Sequence, residues 1–279
     1  MLIVGPWGDP LSLQVLEVAC FGFFVWMLAG EISGVGLRYS KFATSSEGAA
    51  ITVPSRLGMF LMYLPSFFAA SSFLFLKQSS TSAFQEILPP CPSACDSRLL
   101  LVAGAICLHF LKRLLEVLFV HKYSGTMELS QSVLISSAYA TAAVVIIYAQ
   151  HISAVREVQP DLDLTNWGLG VFVIGIVGNF YHHYLLASLR SDKTKSMNSK
   201  SKYVVPQGGL FTYVVCPHYL FESVTFFGIA MMAQTFVALL TAVGMSSSLC
   251  ARSYKTKDWY LKKVEGFPPN RKPFFPFLF

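Results

Sequence analysis

Ionisable side chains stand where an apolar chain tolerates them least. His109, Lys112, Arg113 and Glu116 occupy the end of one long apolar run, and Asn179, His182, His183 and Arg190 the end of another. Charge inside a membrane segment is costly and defaults to a functional reading. Lys112 and Glu116 are spaced i,i+4, so they share a helix face and can pair. That pair could be an internal ion bridge between helices, or Lys112 and Arg113 could face a phosphate or an oxyanion. Asn179, His183 and Arg190 fall near i, i+4 and i+11, again one face. Adjacent histidines point to different faces and have no acidic or Cys neighbour in sequence, so they make a poor metal site, and no metal is expected. Gly168-x-Gly170 lacks the third glycine and the preceding strand of a dinucleotide fingerprint, so a bound nucleotide would not sit on a Rossmann fold. Pro206-Gln-Gly-Gly-Leu-Phe-Thr-Tyr-Val214, followed by Cys216-Pro-His-Tyr-Leu-Phe-Glu222, is polar and glycine-rich yet runs into an apolar helix. Such backbone survives at membrane depth only where protein buries it or it lines a cavity, and paired glycines would let a ligand approach the main chain. The tail interleaves Arg252, Tyr254, Trp259, Tyr260 and Arg271 with lysines, which suits either an anionic nucleotide with a stackable base or anchoring to acidic headgroups.

The elements that must position these groups are membrane helices. Only 13% of the 279 residues are charged while 54% are hydrophobic. A soluble domain carries about 25% charged residues. A spanning helix needs about 20 apolar residues, and seven runs qualify: 11–29, 57–76, 99–120, 132–149, 167–189, 219–233 and 236–250. The last two form one run broken only by Gln234 and Thr235, and could be a single helix. The first run has no basic region before it and is read as a retained helix rather than a cleaved signal. Loops rich in Lys and Arg alternate with neutral or acidic ones, which places the amino terminus in the lumen and the carboxyl terminus in the cytosol. The net charge of +6 is then a topology signal rather than a nucleic-acid footprint. Residues 191–202 are a Ser/Lys-rich cytosolic loop, either a lid or a connector. Cys91 and Cys95 share a polar loop and could pair or remain thiols. An inverted repeat that would suggest a transporter is not visible.

From Asn179 onward the chain resembles the steroid 5α-reductase family. The matching elements are Gly178-Asn179, Leu189-Arg190, Tyr203-x-x-Pro206-x-Gly-Gly-Leu-Phe, Cys216-Pro-x-Tyr-x-x-Glu222, Arg252, Trp259-Tyr260-Leu and Pro269-x-Arg271-Lys. The resemblance implies a seven-helix, all-α membrane reductase that uses NADPH, with residues 1–130 on the substrate side and 131–279 on the cofactor side. It implies that Asn179, Arg190, Tyr203, Glu222, Arg252, Tyr260 and Arg271 surround the dinucleotide; the arginine fork suits its phosphates. Glu222 is assigned to the cofactor rather than to acid catalysis. The amino-terminal half departs from the family. Tyr63-Leu-Pro-Ser-Phe67 resembles a steroid reductase motif in which Gln-Glu precedes Leu-Pro-Ser-Phe, and here that pair is Met62-Tyr63. Relatives often have Tyr where this chain has Phe110, and His218 replaces an Asn. The stretch from His109 to Gly125 is more similar to trans-2-enoyl-CoA reductases.

Family chemistry implies hydride addition to the β-carbon of an enone, with negative charge developing on the carbonyl oxygen. A donor aimed at that oxygen is the main catalytic need. Tyr63 stands at the position of the missing Glu and is the expected donor, with Lys112 or His109 as substitutes. Tyr63 could equally be an interfacial or core tyrosine. The expected substrate is the Δ4 bond of a 3-oxo steroid or a sterol-derived enone, held among membrane lipids of the endoplasmic reticulum. The rivals are a trans-2-enoyl-CoA or polyprenol reductase, and a non-catalytic lipid-binding relative.

Overall fold

A computed structural model of the chain describes residues 11–33, 51–79, 93–195 and 204–278, with backbone alone at 12, 79, 93–96 and 190–195. The described residues form seven helices. They are α1 (Leu11–Ser33), α2 (Ser55–Ser79), α3 (Ser93–Leu115), α4 (Leu129–Val155), α5 (Thr165–Lys195), α6 (Pro217–Ala233) and α7 (Phe236–Lys263). This is the all-α membrane fold the hydropathy implies. Five helices, α1, α2, α4, α5 and α7, are long and apolar enough to cross a bilayer. The two others fall short for visible reasons: α3 carries Arg98, Lys112 and Arg113, and α6 has only 17 residues.

The last apolar run is two helices. Gln234 adopts a left-handed conformation (φ 49°, ψ 33°) that ends α6. Its side chain fixes the break, because Oε1 accepts from Leu164 N at 2.8 Å and Nε2 donates to Leu162 O at 2.9 Å. A polar residue in the middle of an apolar run therefore ties the turn to the loop that precedes α5. In that loop the Asp163 carboxylate accepts from Thr165 N (2.9 Å) and Thr165 Oγ1 (2.6 Å), which holds it below the usual carboxylate range.

Helix α2 contains Pro65, which cannot donate to the Leu61 carbonyl one turn earlier. Ser136 of α4 donates to that carbonyl at 3.1 Å. A neighbouring helix re-satisfies the freed group, as membrane depth requires. Helix α3 runs directly into a π-helical turn, Glu116–Val120, closed by His121 N donating to Glu116 O at 2.8 Å. Turns of this kind collect at functional sites. Two three-residue strands follow the same logic at the rim. β1 (Thr52–Pro54) pairs antiparallel with β2 (Thr126–Glu128), fastening the start of α2 to the segment after α3.

Helices α5 and α6 are zipped together by glycine. A Cβ on Gly168 would meet Met232 N at 2.6 Å, on Gly175 it would meet Thr225 N at 2.5 Å, and on Gly228 it would meet Phe172 N at 2.4 Å. Small residues let membrane helices approach this closely without hydrophobic driving force between them. Gly168 is therefore a packing glycine. Helix α1 buries Leu13, Glu17, Cys20, Phe24 and Glu31 and exposes Leu11, Val15, Val18, Phe21 and Val25 on the side open to lipid. Its partner is α7, where Gly244 makes room for the Phe24 ring.

Candidate functional site

The seam between α5 and α6 sets Asn179 beside Glu222. Asn179 Nδ2 donates to Glu222 Oε2 and to His218 O, both at 2.8 Å. Helix α3 reaches the same point. Lys112 Nζ donates to Asn179 Oδ1 and pairs with Glu116 Oε1 at 2.9 Å, so the i,i+4 pair read from the sequence is present. His109 Nε2 lies 3.3 Å from Glu222 Oε1. Arg113, next along, donates Nη1 to Glu116 Oε2 at 2.6 Å and Nη2 to the Tyr63 phenol oxygen at 2.6 Å. His183 Nδ1 is 2.9 Å from Arg113 Nη1 and 3.1 Å from Glu116 Oε2. Side chains from α3, the π-helical turn, α5 and α6, together with Tyr63 of α2, thus form one buried polar cluster. Its formal charges balance: Lys112 and Arg113 against Glu116 and Glu222. Lys112 and Arg113 both pair with Glu116, while Glu222 is held by Asn179 and His109; buried charge is tolerated in an apolar bundle when it is paired and hydrogen-bonded.

The cluster forms one wall of a cavity of about 270 Å³, lined by Tyr63, Arg113, His183 and Glu222, with Met59, Met127, Tyr139 and Leu186 as its apolar surface. Ser55 at the start of α2 and residues 121–124 before β2 line the same space. The Tyr63 ring is braced by Tyr139 (5.8 Å between centroids) and Phe110 (6.4 Å). An apolar chamber with a few convergent polar groups is the ordinary form of a small-molecule site.

Of the sequence-derived site residues, Tyr63, His109, Lys112, Asn179 and Glu222 converge on this cluster. Arg252 is placed one turn beyond the cavity-lining Leu249 on α7. There it is buried and pairs with Glu31 of α1 at 3.1 Å, and Lys255 takes the other carboxylate oxygen at 3.0 Å. Tyr260 and Arg271 belong to a second layer made by the tail. Tyr260 stacks on Phe267 (4.9 Å, 9°), Arg271 lies over the same ring (5.6 Å), and Arg271 Nη1 donates to Pro206 O at 2.7 Å. Tyr219 joins the two layers, since it lines the cavity and packs against Val215, Cys216, Val264 and Phe267. The side chain of Arg190 is not described, and Tyr203, Cys91 and most of the 191–202 loop lie outside the described residues; of Cys95 only the backbone is described.

The Gly-Gly step has a local cause. Gly208 (φ 86°) and Gly209 (φ 51°) both take positive φ, and a Cβ on Gly209 would strike His182 Nε2 and Tyr181 at 2.8 Å. His182 accepts from Leu210 N at 3.1 Å while its Nδ1 hydrogen-bonds Gly178 O at 2.7 Å. The two histidines therefore divide as their spacing requires, His182 to the loop and His183 to the cavity. The tail completes this loop: Val215 N donates to Lys272 O (2.8 Å) and Lys272 N to Tyr213 O (2.9 Å).

Sequence reasoning underrated Arg113, His183 and His121. The signal for Arg113 was its i,i+3 spacing from Glu116. His183 does have an acidic neighbour, supplied by another helix, and the ligand atoms of Glu116, His121 and His183 lie within 4.8 Å of one another. Arg113 Nη1 sits against two of the three, Glu116 and His183.

The sequence profile of the 3-oxo-5-alpha-steroid 4-dehydrogenase family matches residues 114–279. The human 3-oxo-5-alpha-steroid 4-dehydrogenase 2 is 30% identical over 247 residues, covering 86% of this chain and 87% of that protein. The chain belongs to this family. Family membership makes it a multi-pass membrane oxidoreductase acting on CH–CH bonds. Its similarities extend across neighbouring activities. The very-long-chain enoyl-CoA reductase of Dictyostelium discoideum is 26% identical over 220 residues (78% of this chain, 66% of that protein). The polyprenal reductase 2 of Oryza sativa is 34% identical over 125 residues (43% and 34%).

Proposed function

We propose that the chain is an NADPH-dependent reductase of a C=C bond conjugated to a carbonyl, acting on a lipid enone of the 3-oxo steroid type, in the endoplasmic reticulum membrane with its carboxyl terminus in the cytosol. The observation that carries this is the Tyr63 phenol at the cavity wall, buried, braced by two aromatic rings and held by a guanidinium. It answers the departure from the family at Met62-Tyr63, because the phenol offers a hydrogen-bond donor at the cavity wall in place of the missing Glu. Residues 1–130 then supply the substrate wall, through α2 and α3, and 131–279 the cofactor wall.

The residues present suit a dinucleotide. Glu222 lines the cavity and its carboxylate keeps acceptor capacity of the kind an amide or ribose needs, while Asn179 holds that carboxylate in place. Arg252 and Lys255 bring two cations to one carboxylate, and cations of this kind suit the phosphates of a dinucleotide. Arg190, Tyr203, Tyr260 and Arg271 complete the proposed set. When bound, the dihydronicotinamide supplies a hydride to the substrate's β-carbon. The chain's own part is to bind the ketone, stabilise charge on its oxygen from Tyr63, and exclude water. Losing one such donor costs about 10²–10³ in kcat. Tyr63→Phe should therefore lower turnover of a 4-en-3-one steroid about a hundredfold with the KM for NADPH unchanged. Full activity in that variant would remove Tyr63 from the chemistry and turn attention to Lys112 or His109.

A second reading is a trans-2-enoyl-CoA reductase. It is favoured by the stretch from His109 to Gly125 and by the coverage of the Dictyostelium relative. Offering both substrates to one membrane preparation separates the two.

A further inference from the structure

We infer that Arg113 is a positioning residue for Tyr63, orienting its phenol and stabilising charge on it; the inference rests on the reading of Tyr63 as the carbonyl donor. A guanidinium has five donors and no acceptor. Because Arg113 Nη2 donates to the Tyr63 oxygen at 2.6 Å, the phenol's single hydrogen cannot point at Arg113. Tyr139 and Phe110 hold the ring on its other sides. Tyr63 and Arg113 both line the cavity. Arg113 is itself clamped, since Nη1 is fixed by Glu116 Oε2 at 2.6 Å and His183 Nδ1 at 2.9 Å. Both partners are buried.

The consequence is chemical as well as geometric. When hydride reaches the β-carbon, the C=C pair moves to the α-carbon and carbonyl, and negative charge builds on the carbonyl oxygen. Tyr63 meets that charge with its O–H. If the proton passes to the substrate oxygen, the product is an enol and the phenolate left behind lies beside a fixed cation. As the product leaves, a proton from solvent restores the Tyr63 phenol, and the enol becomes the ketone by gaining a proton at the α-carbon and losing the one on its oxygen. A cation beside the donor substitutes for the Glu–Tyr pair that relatives use and this chain lacks.

The test is a double-mutant cycle on the full-length protein in membranes, with a 4-en-3-one steroid and NADPH. Coupled residues act as a unit, so their losses do not add. Tyr63→Phe should lower kcat about a hundredfold. Arg113→Met should lower kcat at least tenfold with the KM for NADPH unchanged, and the double variant should be no slower than Tyr63→Phe alone. Arg113→Lys, which keeps a donor and a charge, should recover part of the rate; if Arg113→Met does not accumulate, the same cycle is run with Lys. Losses that multiply in the double variant would overturn the inference, as would a raised KM for NADPH, which would place Arg113 on the cofactor. Full activity in Tyr63→Phe would instead defeat the reading of Tyr63 on which it rests.

Discussion

A single methyl group at Gly228 should unfasten the site from a distance. An ideal Cβ there would lie 2.4 Å from Phe172 N and 2.6 Å from Phe172 Cα. Ordinary contact begins at 3.4 Å, and both atoms are backbone, so no rotamer change gives relief. Helices α5 and α6 must part by roughly 1 Å to restore normal contact. Carried along the seam, that shift stretches the 2.8 Å Asn179–Glu222 hydrogen bond toward about 3.8 Å, beyond useful range. Overpacking costs about 1–3 kcal/mol, and a hydrogen bond to a charged group contributes about 1.5–3 kcal/mol. Gly228→Ala should therefore cost about 2.5–6 kcal/mol of stability. The assay is thermal melting of the detergent-solubilised protein beside NADPH-dependent turnover. Melting should fall by several degrees and the KM for NADPH should rise. Gly170 is the internal control. It lies on α5 with open space where a methyl would stand, and Ala is favoured over Gly in a helix by about 0.5–1 kcal/mol. Gly170→Ala should be neutral or slightly stabilising. Equal behaviour of the two variants would refute the close seam and its control of Asn179.

Three further outcomes follow from buried partners. Ser136→Ala should destabilise by about 1–3 kcal/mol, because Leu61 O loses its donor; Pro65→Ala in the same background should recover the loss by restoring an N–H, and thermal melting reads both. Glu31→Gln should cost about 3–5 kcal/mol by leaving Arg252 without this carboxylate, and Arg252→Met added to it should recover part of the melting temperature. Gln234→Leu takes partners from Leu164 N and Leu162 O, at about 1–3 kcal/mol each; limited proteolysis between α4 and α5 should accelerate.

What the sequence could disclose divides by distance along the chain. The helices were legible as apolar runs, five of them long and apolar enough to span a membrane. The Lys112–Glu116 pair and the shared face of Asn179 and His183 were legible because helical spacing is local. The helix break was ambiguous, since its cause is a side chain, Gln234, bonding a loop that stands 70 and 72 residues earlier. Glu31 and Arg252, 221 residues apart, meet only after α1 packs on α7, so no periodicity announces them. The β1–β2 pair is invisible for another reason: three-residue strands are too short to show alternation. The glycines at 208 and 209 suggested close approach by a ligand; the structure adds a local reason, positive φ at both and the His182 ring against Gly209. Arg113 shows the limit most plainly. Its charge was visible, but its role depends on Tyr63 of another helix, and only the packed bundle supplies that neighbour.

The proposal of hydride transfer to an enone is tested most directly by isotope. Membranes carrying the chain are given a 4-en-3-one steroid and NADPH bearing deuterium at the transferable position of the nicotinamide. The expected product is the saturated ketone with one deuterium on the former β-carbon, formed in step with NADPH oxidation and nearly lost in Tyr63→Phe. An unreduced steroid, or a saturated product without that deuterium, would contradict it.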